Sequence, residues 1–313
     1  MADHDEAIVV GIGELLWDVF EDGRRPGGAP ANVAFHAGQL GLTGIVCSRV
    51  GADEPGSALL HHLEQHGMDT RYVQRDAEHP TGTVTVSTER PDHPAYTIHQ
   101  DAAWDFLTFD DALAHVCGRA AAICFGTLAQ RRPDSARTID RFLETADGAL
   151  RIYDVNLRPP WYTQETIDAS LRRADVVKLN IDEMRELAAM FGLSDDAPRE
   201  FADALIRDYE VRRVCITRGA GGCILLTADE TVDVPARPVT VVDAVGAGDA
   251  FTAALTNGLL RDWPMRLIAT FANEVGALVA ARSGAMPQLR RELAALQFKL
   301  VQSSQERAES GPG

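Results

Sequence analysis

The chain contains no GxxxxGK[ST] run, which excludes nucleotide chemistry on a P-loop. It has no stretch of eighteen or more apolar residues, so no membrane-spanning helix is expected. Its 5 cysteines form no CxxC pair, and most lie among apolar neighbours, as in AAICFG and VCITRG. They read as buried free thiols, and neither a disulfide framework nor a zinc site is supported. Positive charge is also short: 30 Lys and Arg against 46 Asp and Glu give −16 at pH 7. Arg supplies nearly all of it, Lys178 and Lys299 being the only lysines. Such a balance argues against nucleic acid or an anionic membrane as the main partner. An anionic substrate is still admitted, because a site can be locally positive on an acidic protein. The acidic start MADHDEAIVV lacks the basic-then-apolar layout of a signal peptide, and a cytoplasmic location is expected.

What is present is an ordinary globular composition, 45% hydrophobic and 24% charged over 313 residues. Short apolar runs at 7–13, 44–50, 120–126, 150–155, 175–180 and 211–217 predict strands. Helical patterns near 30–40, 54–66, 134–146, 164–173, 181–191 and 197–209 fall between them. This alternation predicts an α/β fold with a mostly parallel sheet covered by helices on both faces. Segments 222–227 and 230–235 read as hairpin-like strands, followed by apolar helices at about 247–260 and 264–281. Two stretches, about 14–26 and 81–103, alternate apolar with polar, as half-exposed antiparallel strands do. They predict a small β-sheet lid inserted in a single domain spanning 1–313. Residues 302–313 read as a disordered tail.

The sharpest chemical feature is VTVVDAVGAGDAFTAALTNGLL (239–260). A β-branched strand ends at Asp243, and a Gly-rich turn runs straight into an apolar helix beginning near Asp249. A helix start leaves N–H groups unpaired and carries partial positive charge. Gly246, Ala247 and Gly248 are therefore placed to hold phosphoryl oxygens. Asp249 is placed to accept a proton from an attacking hydroxyl. The structural alternative is that Asp249 only caps the helix.

Other segments bear on that choice. RPGGAPANVAFHAGQLGL (25–42) and DAVGAGDAF (243–251) resemble the N- and C-terminal signatures of the pfkB, or ribokinase-like, carbohydrate kinases. VKLNIDEMREL (177–187) resembles the family's Asn-x-x-Glu motif, and TRGAGGCIL (217–225) its Thr-x-Gly turn. The four occur in family order over roughly residues 7 to 290. GGAPANVA (27–34) and DVNLRPPWY (154–162) are similar to the fructokinase branch.

The resemblance implies a sugar kinase using ATP and Mg²⁺, with Asp249 as base and Gly246, Ala247 and Gly248 as an anion hole. Asn180, Thr217, Gly219, Gly222 and Asn273 would bind the nucleotide. Glu183 would act on Mg²⁺ through water, and Asp243 on a monovalent cation, K⁺. Asp18, Gly28, Asn32, Tyr96, Asn156 and Arg158 would bind the sugar, with fructose the leading acceptor. Trp104 and Asp105 would anchor the lid, and pairing through lid edges would give a homodimer. Ala244, where the family commonly has Thr or Ser, and Gln288, where ribokinases tend to have Ser, depart from the pattern. A nucleoside kinase on the same fold and a non-catalytic sugar-binding relative stay open as alternatives.

Overall fold

Two periodicities build the molecule: a repeat of two in short apolar runs gives strands, and a repeat near 3.6 in capped segments gives helices. The computed structural model describes residues 7–87 and 95–309. Its strands are β1 (Ile8–Ile12), β2 (Leu16–Phe20), β3 (Gly23–Gly27), β4 (Thr43–Gly51), β5 (Val73–Asp76), β6 (Gly82–Ser87), β7 (Ala95–Ile98), β8 (Ala120–Gly126), β9 (Leu150–Asp154), β10 (Val176–Asn180), β11 (Arg213–Thr217), β12 (Cys223–Leu226) and β13 (Thr231–Val234). The helices are α1 (Ala29–Gln39), α2 (Glu54–Gln65), α3 (Asp111–Cys117), α4 (Pro133–Thr145), α5 (Gln164–Arg173), α6 (Ile181–Phe191), α7 (Pro198–Tyr209), α8 (Ala247–Leu260), α9 (Met265–Ala280) and α10 (Arg290–Glu309).

Nine strands form one sheet in the order β13-β12-β11-β10-β9-β8-β1-β4-β5. Every pairing from β5 to β11 is parallel, and β12 and β13 add an antiparallel hairpin at one edge. Strand alternation sorts the core into two layers. Val10, Ile123, Tyr153, Val177 and Ile216 face the side carrying α3 to α7, where Phe142, Leu187 and Phe201 pack. Val9, Cys124, Ile152, Val176 and Cys215 face α8, α9 and part of α1, where Phe251, Phe271 and Val275 pack. The predicted three-layer architecture is present.

The two alternating segments form a separate sheet, β3-β2-β6-β7. The part of the expected lid at 88–94 lies outside the described residues. One expectation fails. Residues 302–309, read as disordered, continue α10. Their composition is polar, but earlier turns of the same helix are anchored: Leu293 is buried, and Leu296 and Leu300 pack on the α8–α9 layer. Residues 310–313 of that expected tail lie outside the described residues. Among the described residues no helix is long and apolar enough to cross a membrane.

Candidate active site

In a parallel sheet the ligand crevice lies beyond the carboxyl ends of the strands, where successive connections leave in opposite directions. Here β1 lies between β4 and β8, and the chain leaving β1 passes into the small sheet. Beyond the ends of β1, β9, β10 and β11 lie two cavities, of about 570 and 490 Å³, that share Thr217, Ala244 and Gly248.

The first cavity is the more polar of the two. Glu14, Asp18, Gly28, Asn32, Asn156, Arg158, Lys178, Asn180, Glu183, Gly246, Gly248 and Asp249 line it, with Leu16, Phe20, Val84 and Ile98 contributed by the small sheet. The second is largely apolar. Thr217, Gly219, Gly222 and Asn273 line it beside Val239, Val241 and Phe251. The neighbouring valines are unusually open for such side chains, Val241 at 59% and Val242 at 63% exposure. The residues expected at acceptor and nucleotide thus separate into the two cavities. Asn180 and Glu183 lie on the first cavity only and Asp243 lines neither, while the side chain of Tyr96, expected at the sugar, lies outside the described residues.

The junction is the start of α8. Gly246 is its N-cap, with φ of 77°, and a Cβ there would come 2.7 Å from Ala285, so glycine is required on both counts. Asp249 therefore stands in the first turn, and the capping alternative does not hold. Its Oδ2 accepts a hydrogen bond from Asn32 Nδ2 at 2.7 Å. Ala247 N–H donates to the Ala244 carbonyl at 3.3 Å, leaving Gly248 as the cradle residue shared by both cavities. Asp249 keeps part of its surface open to the cavity, yet burial pushes its carboxyl up to about 6. Asp154 adds to that rise, while the Asn32 bond, Lys178 and Arg158 oppose it.

At the entrance to α1, Gly28 has φ of 117°, and a Cβ would meet the Glu14 carbonyl oxygen at 2.4 Å. Glu14 Oε1 accepts from Ala29 N–H at 3.2 Å, so a carboxyl from another segment serves this helix start in place of a cap side chain. Glu14 is 4% exposed and its Oε2 has no partner. Burial carries its pKa up to about 7, against backbone hydrogen bonds. Burial likewise lifts Asp18 to about 6, against Arg158 and Arg25.

Glu14 gives a stability prediction with a definite sign. A carboxyl whose folded pKa is raised favours the folded state below its unfolded pKa, and that contribution is lost as pH rises through the folded value. The Tm difference between Glu14→Gln and wild type should shift toward the variant as pH goes from about 4.5 to about 7. Thermal melts across pH 4–8 check this, and a pH-independent difference would refute it.

Asn180 caps α6: its Oδ1 accepts from Asp182 and Glu183 N–H groups, both at 2.9 Å. Glu183 is buried. Its Oε2 accepts from Asn180 N–H at 2.8 Å and its Oε1 from Leu157 N–H at 3.0 Å. Asn156, with φ of 42°, turns the chain leaving β9 toward the cavity. Arg158 Nη1 donates to its neighbour's carbonyl, Leu157, at 2.9 Å. Asp243 accepts from Val245 and Gly284 N–H groups, each at 3.0 Å, and so clasps two loops.

Sequence reasoning missed Lys178, Asp154 and Glu14. Lys178 was visible only as one of two lysines in an arginine-rich chain. Its Nζ lies 3.0 and 3.1 Å from the two oxygens of Asp154, and the pair is buried. Burial alone would lower the lysine pKa, but Asp154, Glu183 and Asp249 outweigh it and the net shift is upward. Among the described residues no group of three or more His, Cys, Asp or Glu could hold a metal by itself.

A polar half-cleft, an apolar half-cleft and a helix N-terminus where they meet suit the transfer of an anionic group between two small molecules. The chain belongs to the pfkB family of carbohydrate kinases, whose profile matches residues 5–291. It is 32% identical over 305 residues to a sugar kinase of Pyrococcus horikoshii, covering 91% of this chain and 94% of that one. The crystal structure of that uncharacterized sugar kinase superposes with a TM-score of 0.82 at 30% identity, over 94% of this chain and 100% of the other. Its complex with ATP superposes at 0.79 with 29% identity, covering 93% and 99%. A fructokinase of Escherichia coli is 32% identical over 302 residues, covering 90% of this chain and 96% of that one.

Proposed function

We propose that this carbohydrate kinase transfers the γ-phosphoryl group of ATP to a hydroxyl of a small sugar, with fructose the leading acceptor. The observation that carries the reading is Asp249, half-buried in the first turn of α8 and bonded to Asn32, where the polar and apolar cavities meet. The polar cavity takes the sugar: Asp18, Asn32 and Asn156 offer donors and acceptors to vicinal hydroxyls, and Arg158 offsets the surrounding carboxylates. The apolar cavity takes the nucleotide, the base lying among Val239, Val241 and Phe251 with Asn273 at hand. ATP as donor is supported by the ATP complex of the 29% identical P. horikoshii kinase, and fructose by the fructokinase relative.

Asp249 accepts the proton of the attacking hydroxyl, and the α8 N-terminus at Gly248 faces the transferring group. Mg²⁺ bound with the nucleotide would offset phosphate charge. Glu183 and Asn180 would reach it through water, since both Glu183 oxygens already accept backbone N–H groups. The small sheet acts as a lid: Leu16, Phe20, Val84 and Ile98 close over the sugar and exclude water, which limits ATP hydrolysis.

The test is ADP release from MgATP against fructose, ribose, 2-keto-3-deoxygluconate, glucose and adenosine. Turnover with a sugar, fructose foremost, is expected. Preference for adenosine would instead make it a nucleoside kinase. Silence with every acceptor from folded, ATP-binding protein would favour the sugar-binding reading.

A further inference from the structure

The charge census of the polar cavity leaves a gap. Its lining carries the carboxylates Glu14, Asp18, Glu183 and Asp249 against two cations, Arg158 and Lys178. The γ-phosphoryl group would bring more negative charge into it. Arg158 acts electrostatically on Glu14, Asp18 and Asp249, at the acceptor end.

Lys178 is differently placed. It lies on the strand face that packs against α8, and the parallel register of β9 and β10 sets it directly beside Asp154. Asp154 takes two of the ammonium's three donors. The carboxylate is fixed in turn by the Thr252 hydroxyl, 2.7 Å from Oδ2, and Thr252 is on α8 itself, one turn beyond Gly248. A Cβ added to Gly248 would lie 3.4 Å from Lys178 Nζ. The ammonium thus borders the cradle where the two cavities join, with its third donor uncommitted to Asp154.

We propose that Lys178 is a catalytic residue, its ammonium contacting the phosphoryl group in transit between nucleotide and sugar, and that Asp154 is its positioning residue. The proposal rests on the kinase reading above. In the step itself, the acceptor oxygen forms a bond to the γ-phosphorus as the bond from that phosphorus to the β,γ-bridging oxygen breaks. The hydroxyl proton goes to Asp249, and ADP leaves with the bridging electron pair. Lys178 keeps its proton throughout and offsets charge on the transferring oxygens. A carboxylate-anchored ammonium at a helix N-terminus needs little rearrangement when that charge develops.

Replacing Lys178 alone would leave Asp154 buried and unpaired, so Lys178→Met is paired with the double variant Lys178→Met/Asp154→Asn. Each is assayed with the best acceptor of the wild type, alongside thermal melts and binding of ADP with and without aluminium fluoride. We expect kcat to fall about 10²–10³-fold in both, the scale of losing one preorganised donor. The KM for sugar and the affinity for ADP should stay within about threefold. ADP–aluminium fluoride, which imitates the phosphoryl in transit, should lose its tight binding. Lys178→Arg should recover part of the rate, since it keeps the charge. A folded double variant with kcat near wild type would overturn the proposal and make Lys178 only the counter-ion of Asp154. An effect confined to sugar KM would overturn it too. A wild type that binds ATP but phosphorylates no acceptor would instead overturn the kinase reading beneath it.

Discussion

Asp249→Ala should lose between about 10² and 10⁴ in kcat, the range over which a positioned general base contributes, while the protein folds and melts almost as before. The stability half follows from the surroundings. Asp249 gains one hydrogen bond from Asn32 but is raised to about 6 by burial and by Asp154, so its ionised form is not a stabilising element. Asp249→Asn tests the same point with the shape preserved, because an amide cannot accept the proton. The elevated pKa adds a signature. The base must be ionised to act, so kcat/KM in the wild type should be level at higher pH. It should fall about tenfold per unit as pH drops below about 6. Steady-state kinetics between pH 5 and 9, beside thermal melts of both variants, give the answer. Near-normal turnover in folded Asp249→Ala would remove the residue from the mechanism.

That prediction was within reach of the sequence because its parts are contiguous: a β-branched strand, two glycines and an acid at the head of an apolar helix. The parallel sheet was legible for a similar reason, since strands buried on both faces read as nearly continuous apolar runs. Elements without a local pattern were not. β5 reads VQRD, with one apolar residue in four. The end of α10 is polar apart from Ala308 and owes its order to leucines in earlier turns of the same helix.

The site was half legible. Residues in glycine-rich turns or at helix starts could be named, because backbone geometry and ligand chemistry constrain the same few positions. Lys178 and Asp154 could not, since their partnership exists only in the β9–β10 register. Glu14 was hidden as well, because its link to Ala29 spans the whole small-sheet hairpin. Asn180 and Glu183 were named, but the setting of Glu183 was not: it is buried and accepts from Asn180 N–H beside it and from Leu157 N–H, a donor from a distant loop.

The largest stability effect should come from a pair outside the cleft, Arg131 and Asp105. Their side chains are 3% and 0% exposed. Two guanidinium nitrogens meet the carboxylate: Nε donates to Oδ1 at 2.8 Å and Nη2 to Oδ2 at 2.7 Å. Nη2 also reaches the His99 carbonyl at 2.7 Å. The guanidinium lies 4.1 Å from the Trp104 ring centroid and 4.9 Å from that of Trp161. His99 follows β7 directly, so the pair ties the returning strand of the small sheet to the body. Removing one partner strands a buried charge, at a cost of about 3–5 kcal/mol. Asp105→Ala should therefore lower Tm by roughly 10 °C, taking about 2–4 °C per kcal/mol. Arg131→Met should do the same, while the double variant should cost less than the sum, because neither charge is then left alone. If the small sheet closes over the sugar, the sugar KM should rise in the folded fraction of each single variant with ATP affinity unchanged. Single variants melting within about 2 °C of wild type would show that water reaches the pair and that the tie is weak. A lost Tm with an unmoved sugar KM would mean that the sheet keeps its place by its own packing, through Leu16, Val84 and Val86.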